Sequence, residues 1–125
     1  MNLRTFEWAP WLAAALLVSR ATGASEGAAR CGGPGRVPCP LQAWMRTHVA
    51  APLATGKLDE VDQALQRLES LNPAPDKWQN WSKIAREGAS AAREGDAKGA
   101  RAACGRCHRA YRRAYNQNHR ARRVD

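Results

Sequence analysis

Carboxylates are scarce in this sequence, as are methionines and aromatic side chains. Among the 125 residues, Asp and Glu number 11 against 20 Lys and Arg, which gives a formal net charge of +9. Only 2 residues are methionine, and 6% are aromatic. The excess of positive charge favours acidic proteins or anionic surfaces as partners.

Three patterns are missing, and each absence argues against a class of protein. No strand-rich pattern runs through the chain, so we expect neither a sheet nor the βαβ context of a dithiol oxidoreductase. The apolar run near the N-terminus has about ten residues, whereas a membrane-spanning helix needs about 20. No set of general acid, base and nucleophile stands out, and we therefore do not expect an enzyme.

The first 24 residues have the pattern of a secretory signal peptide. Arg4 precedes an apolar run over residues 9–18, and small residues follow it up to Ala24. We expect cleavage after Ala24, which leaves 101 of the 125 residues and removes Arg4, Arg20 and Glu7, so that the net charge falls from +9 to +8. The mature chain is long enough for one small domain, and we expect it to be periplasmic.

One motif in the chain indicates a specific chemistry, and it is Cys104-Gly-Arg-Cys107-His108. In a C-x-x-C-H run, two thiols form thioethers with the vinyl groups of a haem, and the adjacent imidazole ligates the iron. A helix places the two sulfurs about one turn apart, along one edge of the porphyrin. We therefore predict one covalent haem c. Export is consistent with this prediction, because bacteria attach haem covalently outside the cytoplasm.

Three other interpretations of this cysteine pair stay open: half of a zinc site, a redox dithiol and a chance pairing in a helix. A zinc site would need further ligands, and no second tight pair exists among the remaining candidates, Cys31, Cys39, His48 and His119. A redox dithiol would need the strand-rich context that the chain lacks.

Cys31 and Cys39 enclose a segment rich in glycine and proline, Cys31-Gly-Gly-Pro-Gly-Arg-Val-Pro-Cys39. Such a segment is not helical, and no histidine follows either cysteine, which excludes a second haem site. In an exported protein we predict a disulfide that closes this loop and fixes the entry to the first helix. Free thiols and an intermolecular bridge are the alternatives.

Residues 40–118 have the periodicity of four amphipathic helices. Four such helices joined by short loops fold most simply as an antiparallel bundle, so the predicted fold class is all-α. We expect Pro52 to kink or shorten the first helix and the third helix to begin at about Asp76. The breaks between helices lie at Thr55-Gly56, Asn72-Pro-Ala-Pro75 and Gly95-Asp96.

Each predicted helix has one stripe that we expect to face the core. In the first three helices these stripes are Leu41, Trp44, Met45, His48 and Val49; Leu58, Val61, Leu65, Leu68 and Leu71; and Trp78, Trp81, Ala85, Gly88 and Ala92. In the fourth helix the stripe is Ala100, Cys104, Cys107, His108, Tyr111 and Tyr115. The haem motif and the core therefore share a face, and small residues on the last two helices leave room for a porphyrin edge.

The place of the motif in the last helix carries a family resemblance. A four-helix pattern with Cys104-Gly-Arg-Cys107-His108-Arg-Ala-Tyr111-Arg112 close to the C-terminus resembles the class II c-type cytochromes, the cytochrome c′ group. Class I cytochromes carry this motif near the N-terminus instead. Leu41-Gln-Ala-Trp44-Met45, Trp78 to Trp81 and Gly95-Asp96 also look like a compact bacterial subgroup, so the resemblance covers residues 39–118. It implies that Arg112 belongs to the haem site together with Cys104, Cys107 and His108.

The resemblance implies two possible functions, and the identity of one residue in the first helix determines which of them applies. A methionine facing the iron makes it six-coordinate and suited to electron transfer, whereas an apolar side chain leaves it five-coordinate and open to small gases. Met45 is the only methionine after signal removal, and a thioether is a competent haem ligand. We predict that Met45 is the sixth ligand. Core filling by Met45 and ligation by His48 are the alternatives.

Arginines dominate the region after the motif. Some of them are expected to pair with haem propionates and others to form a docking patch, although a solvated face with a frayed tail over residues 119–125 would have the same composition. The arginines are Arg109, Arg112, Arg113, Arg120, Arg122 and Arg123. Without a recognition motif we expect no nucleic-acid partner.

Together these features predict a periplasmic monohaem cytochrome that carries one electron between partners with acidic surfaces. His108 and Met45 would ligate the iron. The alternatives are a five-coordinate, gas-binding cytochrome c′-like protein and, less expected, a zinc-stabilised basic adaptor. We expect no membrane span and a monomer or homodimer. The predicted parts are a signal peptide (1–24), a disulfide loop (25–39), a helical domain (40–118) and a basic tail (119–125).

Overall fold

A computed structural model describes residues 31–125, and the predicted signal peptide lies outside this part of the chain. Within residues 31–125 every regular element is helical, which confirms the predicted all-α class. Helix α1 has three consecutive segments, α-helical Pro40–Met45, π-helical Arg46–Ala50 and α-helical Ala51–Thr55. The others are α2 (Leu58–Ser70), α3 (Asn80–Arg93) and α4 (Ala97–Asn118). No helix in this part of the chain is both long and apolar enough to cross a membrane.

Side-chain pairs show that α2 and α3 run in opposite directions. Arg93 at the end of α3 pairs with Asp62 near the start of α2 at 3.0 Å. Arg86, two turns earlier in α3, pairs with Glu69 near the end of α2 at 2.9 Å. Pairs of this kind at the surface contribute little stability, but they fix the register of the two helices.

The other neighbouring helices, α3 with α4 and α4 with α1, are also antiparallel. Arg106 of α4 contacts Glu87 of α3 at 2.7 Å, and the Trp81 ring near the start of α3 lies 5.6 Å from the Tyr111 ring, farther along α4. Arg101 Nη2 in the first turns of α4 donates a hydrogen bond to the carbonyl oxygen of Leu53 at the end of α1, at 3.0 Å. The four helices form an up-down-up-down bundle.

The predicted apolar stripes form the core. Side chains from all four helices are buried there, among them Leu41, Val49, Leu53, Val61, Leu65, Leu68, Trp81, Ala85, Ala92, Ala100 and Tyr115. Gly88 allows α3 a close approach to its neighbours, because a Cβ at this position would lie 3.0 Å from both Ala103 Cβ and Leu65 Cδ1. Close packing of α3 and α4 on this side leaves free space between α4 and α1.

The sequence suggested that Pro52 would kink the first helix or end it early. In the structure α1 does not end at Pro52. Pro52 has no backbone N–H and cannot donate to the turn before it. The helix accommodates this by widening, so that the N–H of Ala51 bonds the carbonyl of Arg46, five residues back. After this π-helical turn the chain continues to Thr55.

Helix α3 begins at Asn80, and the expected start at about Asp76 is wrong. Residues before it form turns in which the carbonyl of Ala74 accepts hydrogen bonds from the N–H groups of both Lys77 and Trp78. Asn72 strengthens the turn, because its side chain accepts from Ala74 N and donates to Trp78 O. These local bonds hold the backbone in turns until Asn80.

Both ends of the described chain pack against the bundle. Cys31 and Cys39 are joined by the predicted disulfide, with their Cα atoms 4.9 Å apart, which confirms that prediction. At the other end, Arg122 Nη1 donates to Leu71 O at 2.7 Å, and Val124 packs against the core cluster. The basic tail is therefore held to the bundle.

Candidate functional site

The main cavity of the described residues lies between α1 and α4 and has a volume of about 520 Å³. This volume is within the range of about 300–1,000 Å³ that is typical of pockets for organic ligands. Its walls are mostly apolar, and every helix contributes to them. The deep side is formed by α2 and α3 through Leu65, Leu68, Trp81, Ile84 and Ala85.

The α4 wall of the cavity carries the complete C-x-x-C-H motif. Cys104, Cys107 and His108 all line the cavity, as the sequence predicted from their shared stripe. Cys107 is buried, Cys104 is half-buried and His108 is exposed at the rim. Cys104 and Cys107 are both free thiols in the described chain, so the two sulfurs are available for bonds to a molecule in the cavity.

Burial controls the protonation of these groups. It raises the pKa of Cys107 to about 11, with a smaller contribution from the neighbouring Cys104, and it raises the pKa of Cys104 as well. Both thiols are therefore protonated at neutral pH. Burial, helped by the positive charge of Arg112, lowers the pKa of His108 below its ordinary value. The imidazole is neutral at pH 7 and has a lone pair available for a metal.

Met45 lies on the opposite wall, on α1. The residues that line this wall are spaced four apart, at Leu41, Met45, Val49 and Leu53. In an α-helix of 3.6 residues per turn, such a repeat moves round the axis by about 40° at each step. The wider π-helical turn at Arg46–Ala50 counters this drift. All four side chains consequently face the cavity.

His48 does not face the cavity. It is exposed, and its ring lies 5.2 Å from that of the half-buried Trp44. The expectation that His48 shares the inward stripe is therefore wrong, and the π-helical turn is the physical reason. Of the two candidate ligands on α1, the structure brings Met45 to the cavity and leaves His48 outside it.

The charged side chains of the cavity lining are all arginines. Arg46 comes from α1, Arg112 from α4 and Arg120 from the segment after α4, and within residues 31–125 no Asp or Glu belongs to the lining. Such a rim is suited to a ligand with negatively charged groups, because guanidinium groups bind carboxylates well. Sequence reasoning singled out Arg112 and named Arg120 among the basic residues, but it missed Arg46. No local signal in the sequence distinguishes Arg46 from a solvated arginine.

An aromatic cluster forms the end of the cavity near the C-terminus of α4. Trp81, Tyr111 and Tyr115 line the cavity, and the Trp78 ring packs 5.8 Å from Trp81 and 5.2 Å from Tyr111. Trp81 is fixed by a buried hydrogen bond from its Nε1 to Leu68 O at 2.7 Å. The indole nitrogen is thus satisfied, and the ring presents an apolar face to the cavity.

The disulfide loop completes the cavity at the start of α1. Gly32 and Cys39 both contribute to the lining. Gly32 has a positive φ of 73°, and a Cβ there would lie 2.8 Å from Cys39 Sγ. The disulfide therefore holds this part of the wall against the helix, and glycine is required for the close approach.

The zinc alternative finds little support among the described residues. Between residues 31 and 125 no group of three or more His, Cys, Asp or Glu side chains could hold a metal ion. Cys31 and Cys39 are bonded to each other, and His119 packs edge-on against Trp78 at 5.4 Å.

Comparison with known proteins found no matching family model, curated protein or solved structure. Function is therefore inferred from the residues of this chain.

Proposed function

We propose that this protein is an exported, monohaem c-type cytochrome that carries one electron between protein partners. The proposal rests on one observation, which is that potential haem ligands lie on two opposite sides of the same cavity. Cys104, Cys107 and His108 line one side of this mostly apolar cavity, and Met45 lines the other. Two thiols, an imidazole and a thioether are the donor set of a covalent haem with His/Met ligation.

Each of these residues has a defined task in the proposal. Cys104 and Cys107 would hold the haem by thioether bonds, and His108 would be the proximal iron ligand, with its lone pair available because its imidazole is neutral. Met45 would supply the sixth ligand. The haem iron itself would supply the one-electron redox chemistry.

The rest of the cavity would set the environment of the cofactor. Leu41, Val49 and Leu53 exclude water from the α1 side, since all three are buried apolar residues. Arg46, Arg112 and Arg120 would contact the propionates, which are negatively charged, through charge-assisted hydrogen bonds. Among residues 31–125, no Asp or Glu lines the cavity.

Spectroscopy of the mature protein tests this proposal. The full chain is produced in a host with a cytochrome c maturation system, and absorption is recorded with and without carbon monoxide in the reduced state. We expect a red protein whose haem survives acidified organic extraction, with a low-spin spectrum and little carbon monoxide binding. Colourless protein containing stoichiometric zinc would contradict the cytochrome assignment and favour the basic adaptor.

The gas-binding alternative gives a different result in the same experiment. If the haem is covalent but the iron is high-spin and binds carbon monoxide readily, Met45 is core filling and the site is five-coordinate. The second cysteine pair provides an internal control, because Cys31 and Cys39 are bonded to each other and should resist alkylation without reductant.

A further inference from the structure

A hydrogen bond between α4 and α1 borders the cavity at one of its ends. Arg101 lies in the first turns of α4, and its Nη2 donates to Leu53 O near the end of α1 at 3.0 Å. Leu53 lines the cavity, and so does Cys104, which follows Arg101 by three residues. Arg101 itself is exposed, so the contact lies at the edge of the proposed haem site.

The end of α1 explains why Leu53 accepts this bond. In a continuing α-helix, the carbonyl of Leu53 would accept from the N–H of Lys57, four residues later. The helix ends at Thr55, however, and the N–H of Lys57 donates instead to Pro52 O at 2.9 Å. The last carbonyls of a helix need donors from outside it, and a guanidinium also interacts favourably with the negative end of the helix dipole.

The same contact relates the register of α1 to that of α4. Met45 lies eight residues before Leu53, which is about 12 Å along a helix axis. His108 lies seven residues after Arg101, which is about 11 Å. Because α1 and α4 are antiparallel, both steps run in the same direction along the bundle. The contact thus places Met45 level with His108 across the cavity.

Apolar packing alone would fix this register weakly. Leu41, Val49 and Leu53 of α1 are buried apolar residues of the cavity wall, and the hydrophobic effect is not directional. A shift of α1 by one residue would move Met45 by about 1.5 Å along the axis, which is enough to lengthen a bond between metal and ligand. A directional hydrogen bond from a charged donor opposes such a shift.

We propose that Arg101 is a positioning residue, which sets the register of α1 against α4 through Leu53 O and so holds Met45 level with His108. This inference rests on the proposed function and deepens it, because it names a residue that determines how firmly the sixth ligand is held. Arg101 acts through α1 and contacts neither the iron nor its ligands.

Imidazole binding to the mature haem protein tests this role, because imidazole competes with the Met45 thioether for the iron. The oxidised protein is titrated with imidazole, and the loss of the weak absorption band of the thioether-bound iron gives the affinity. Amide hydrogen exchange, measured by mass spectrometry, reports on α1 without depending on the iron. The proteins are the mature chain and its Arg101→Ala, Arg101→Lys and Arg93→Ala variants.

We expect imidazole to bind Arg101→Ala about fivefold more tightly than the mature chain, the effect of losing one hydrogen bond. The amides of α1 should also exchange faster in this variant. Arg101→Lys should lie between the two proteins, because the ammonium group keeps the charge and can donate to the same carbonyl but lacks the planar guanidinium fork.

Arg93→Ala is the matched control. It also removes one positive charge and an arginine that joins two helices, since Arg93 Nε and Nη2 donate to the Asp62 carboxylate at 3.1 and 3.0 Å. These helices, α3 and α2, carry none of the proposed ligands. We therefore expect Arg93→Ala to leave both the imidazole affinity and the exchange of α1 amides unchanged.

The outcomes separate the two proposals. Equal imidazole affinities of Arg101→Ala and a low-spin mature chain would overturn the positioning role and leave the cytochrome assignment intact. A mature chain without haem, or with high-spin iron, would overturn the His/Met site and with it the effect on the iron, whereas faster exchange of α1 amides in Arg101→Ala would still show that Arg101 fixes α1. Faster exchange in all four helices would mean general destabilisation and would contradict a role specific to α1.

Discussion

At the residue scale, Met45 is the side chain on which the type of the proposed haem site depends. It lies on the cavity wall opposite Cys107 and His108, whereas His48, three residues later, is exposed. Three residues along an α-helix would leave the two side chains about 60° apart, close enough for both to approach one ligand. The π-helical turn increases this separation.

Met45→Ala should open the iron site. We expect the variant to become high-spin, to bind carbon monoxide in the reduced state and to have a lower reduction potential, because a thioether ligand raises the potential of a haem. Absorption spectra and a spectroelectrochemical titration measure these changes. His48→Ala is the control and should leave all three properties unchanged. If His48→Ala alone opens the site, the ligand is an imidazole.

Gly32→Ala should destabilise the protein more than Gly35→Ala. Both glycines have a positive φ, 73° and 69°, so each alanine has a similar backbone cost of about 1–2 kcal/mol. At Gly32 the new Cβ would also approach Cys39 Sγ, whereas at Gly35 nothing lies within 4 Å. Denaturant unfolding of the two variants measures the difference. Equal losses would mean that the loop shifts freely and that its contact with Cys39 is unimportant.

At the scale of elements, the close approach of α3 to both α2 and α4 constrains the bundle. Gly88 lies where these three helices meet, and a Cβ there would be 3.0 Å from two neighbouring side-chain atoms. This close approach on one side of α4 leaves the space that α1 borders on the other. The width of the cavity therefore depends on a small residue in a helix that carries none of the proposed ligands.

Gly88→Leu should lower the free energy of unfolding by at least about 1–3 kcal/mol, the usual cost of overpacking a core. The side chain would push α4 away from α3 and disturb the wall that carries Cys104 and Cys107. Urea unfolding measures the cost, and Ala102→Leu is the control, because Ala102 is exposed on α4. A Gly88→Leu protein as stable as the control would show that the helices can separate without loss.

The elements also show what periodicity can predict and what it cannot. Gly95 and Asp96 mark the α3–α4 break in the sequence, and in the structure Asp96 caps α4 by accepting from Gly99 N at 2.8 Å. The assembly of the motif and Met45 around one cavity followed from shared stripes. The π-helical turn did not, because periodicity assumes a constant number of residues per turn. Trp78 was misplaced in a helix because the side-chain bonds of Asn72 are not a periodic signal.

Tertiary contacts of charged residues were also beyond sequence reasoning. Arg46 and Arg120 reach the cavity from different ends of the chain, and no local pattern distinguishes them from solvated arginines. Arg122 looked like part of a frayed tail, yet it bonds the carbonyl of Leu71, 51 residues away. Such contacts depend on how the helices pack, which the spacing of residues does not encode.

At the scale of the whole molecule, the cofactor is expected to be part of the core. The cavity is lined mostly by apolar side chains, and covering apolar surface with a bound molecule stabilises the folded state by about 25 cal/mol per Å². The total stability of a small domain is about 5–15 kcal/mol. We therefore expect a molecule that fills the cavity to contribute a substantial share of the stability of this chain.

The double variant Cys104→Ser, Cys107→Ser, produced without covalent haem, should unfold at lower temperature and with less cooperativity than the mature protein. It should also bind a hydrophobic dye, because the cavity walls become accessible. Calorimetry and dye fluorescence measure these effects, with the Cys31–Cys39 disulfide retained in both proteins. Equal melting temperatures would mean that the four helices are self-sufficient and that no cofactor contributes to the core.

The position of Trp81 has an optical consequence. Its indole ring lines the cavity, and the Trp78 ring stacks on it at 5.8 Å. A haem within contact distance accepts excitation energy from such rings efficiently. If haem is bound as proposed, the fluorescence of both indoles would therefore be quenched, and it would increase if the haem moved away. The tryptophan fluorescence of this chain would thus report on the proposed cofactor, with no label to attach.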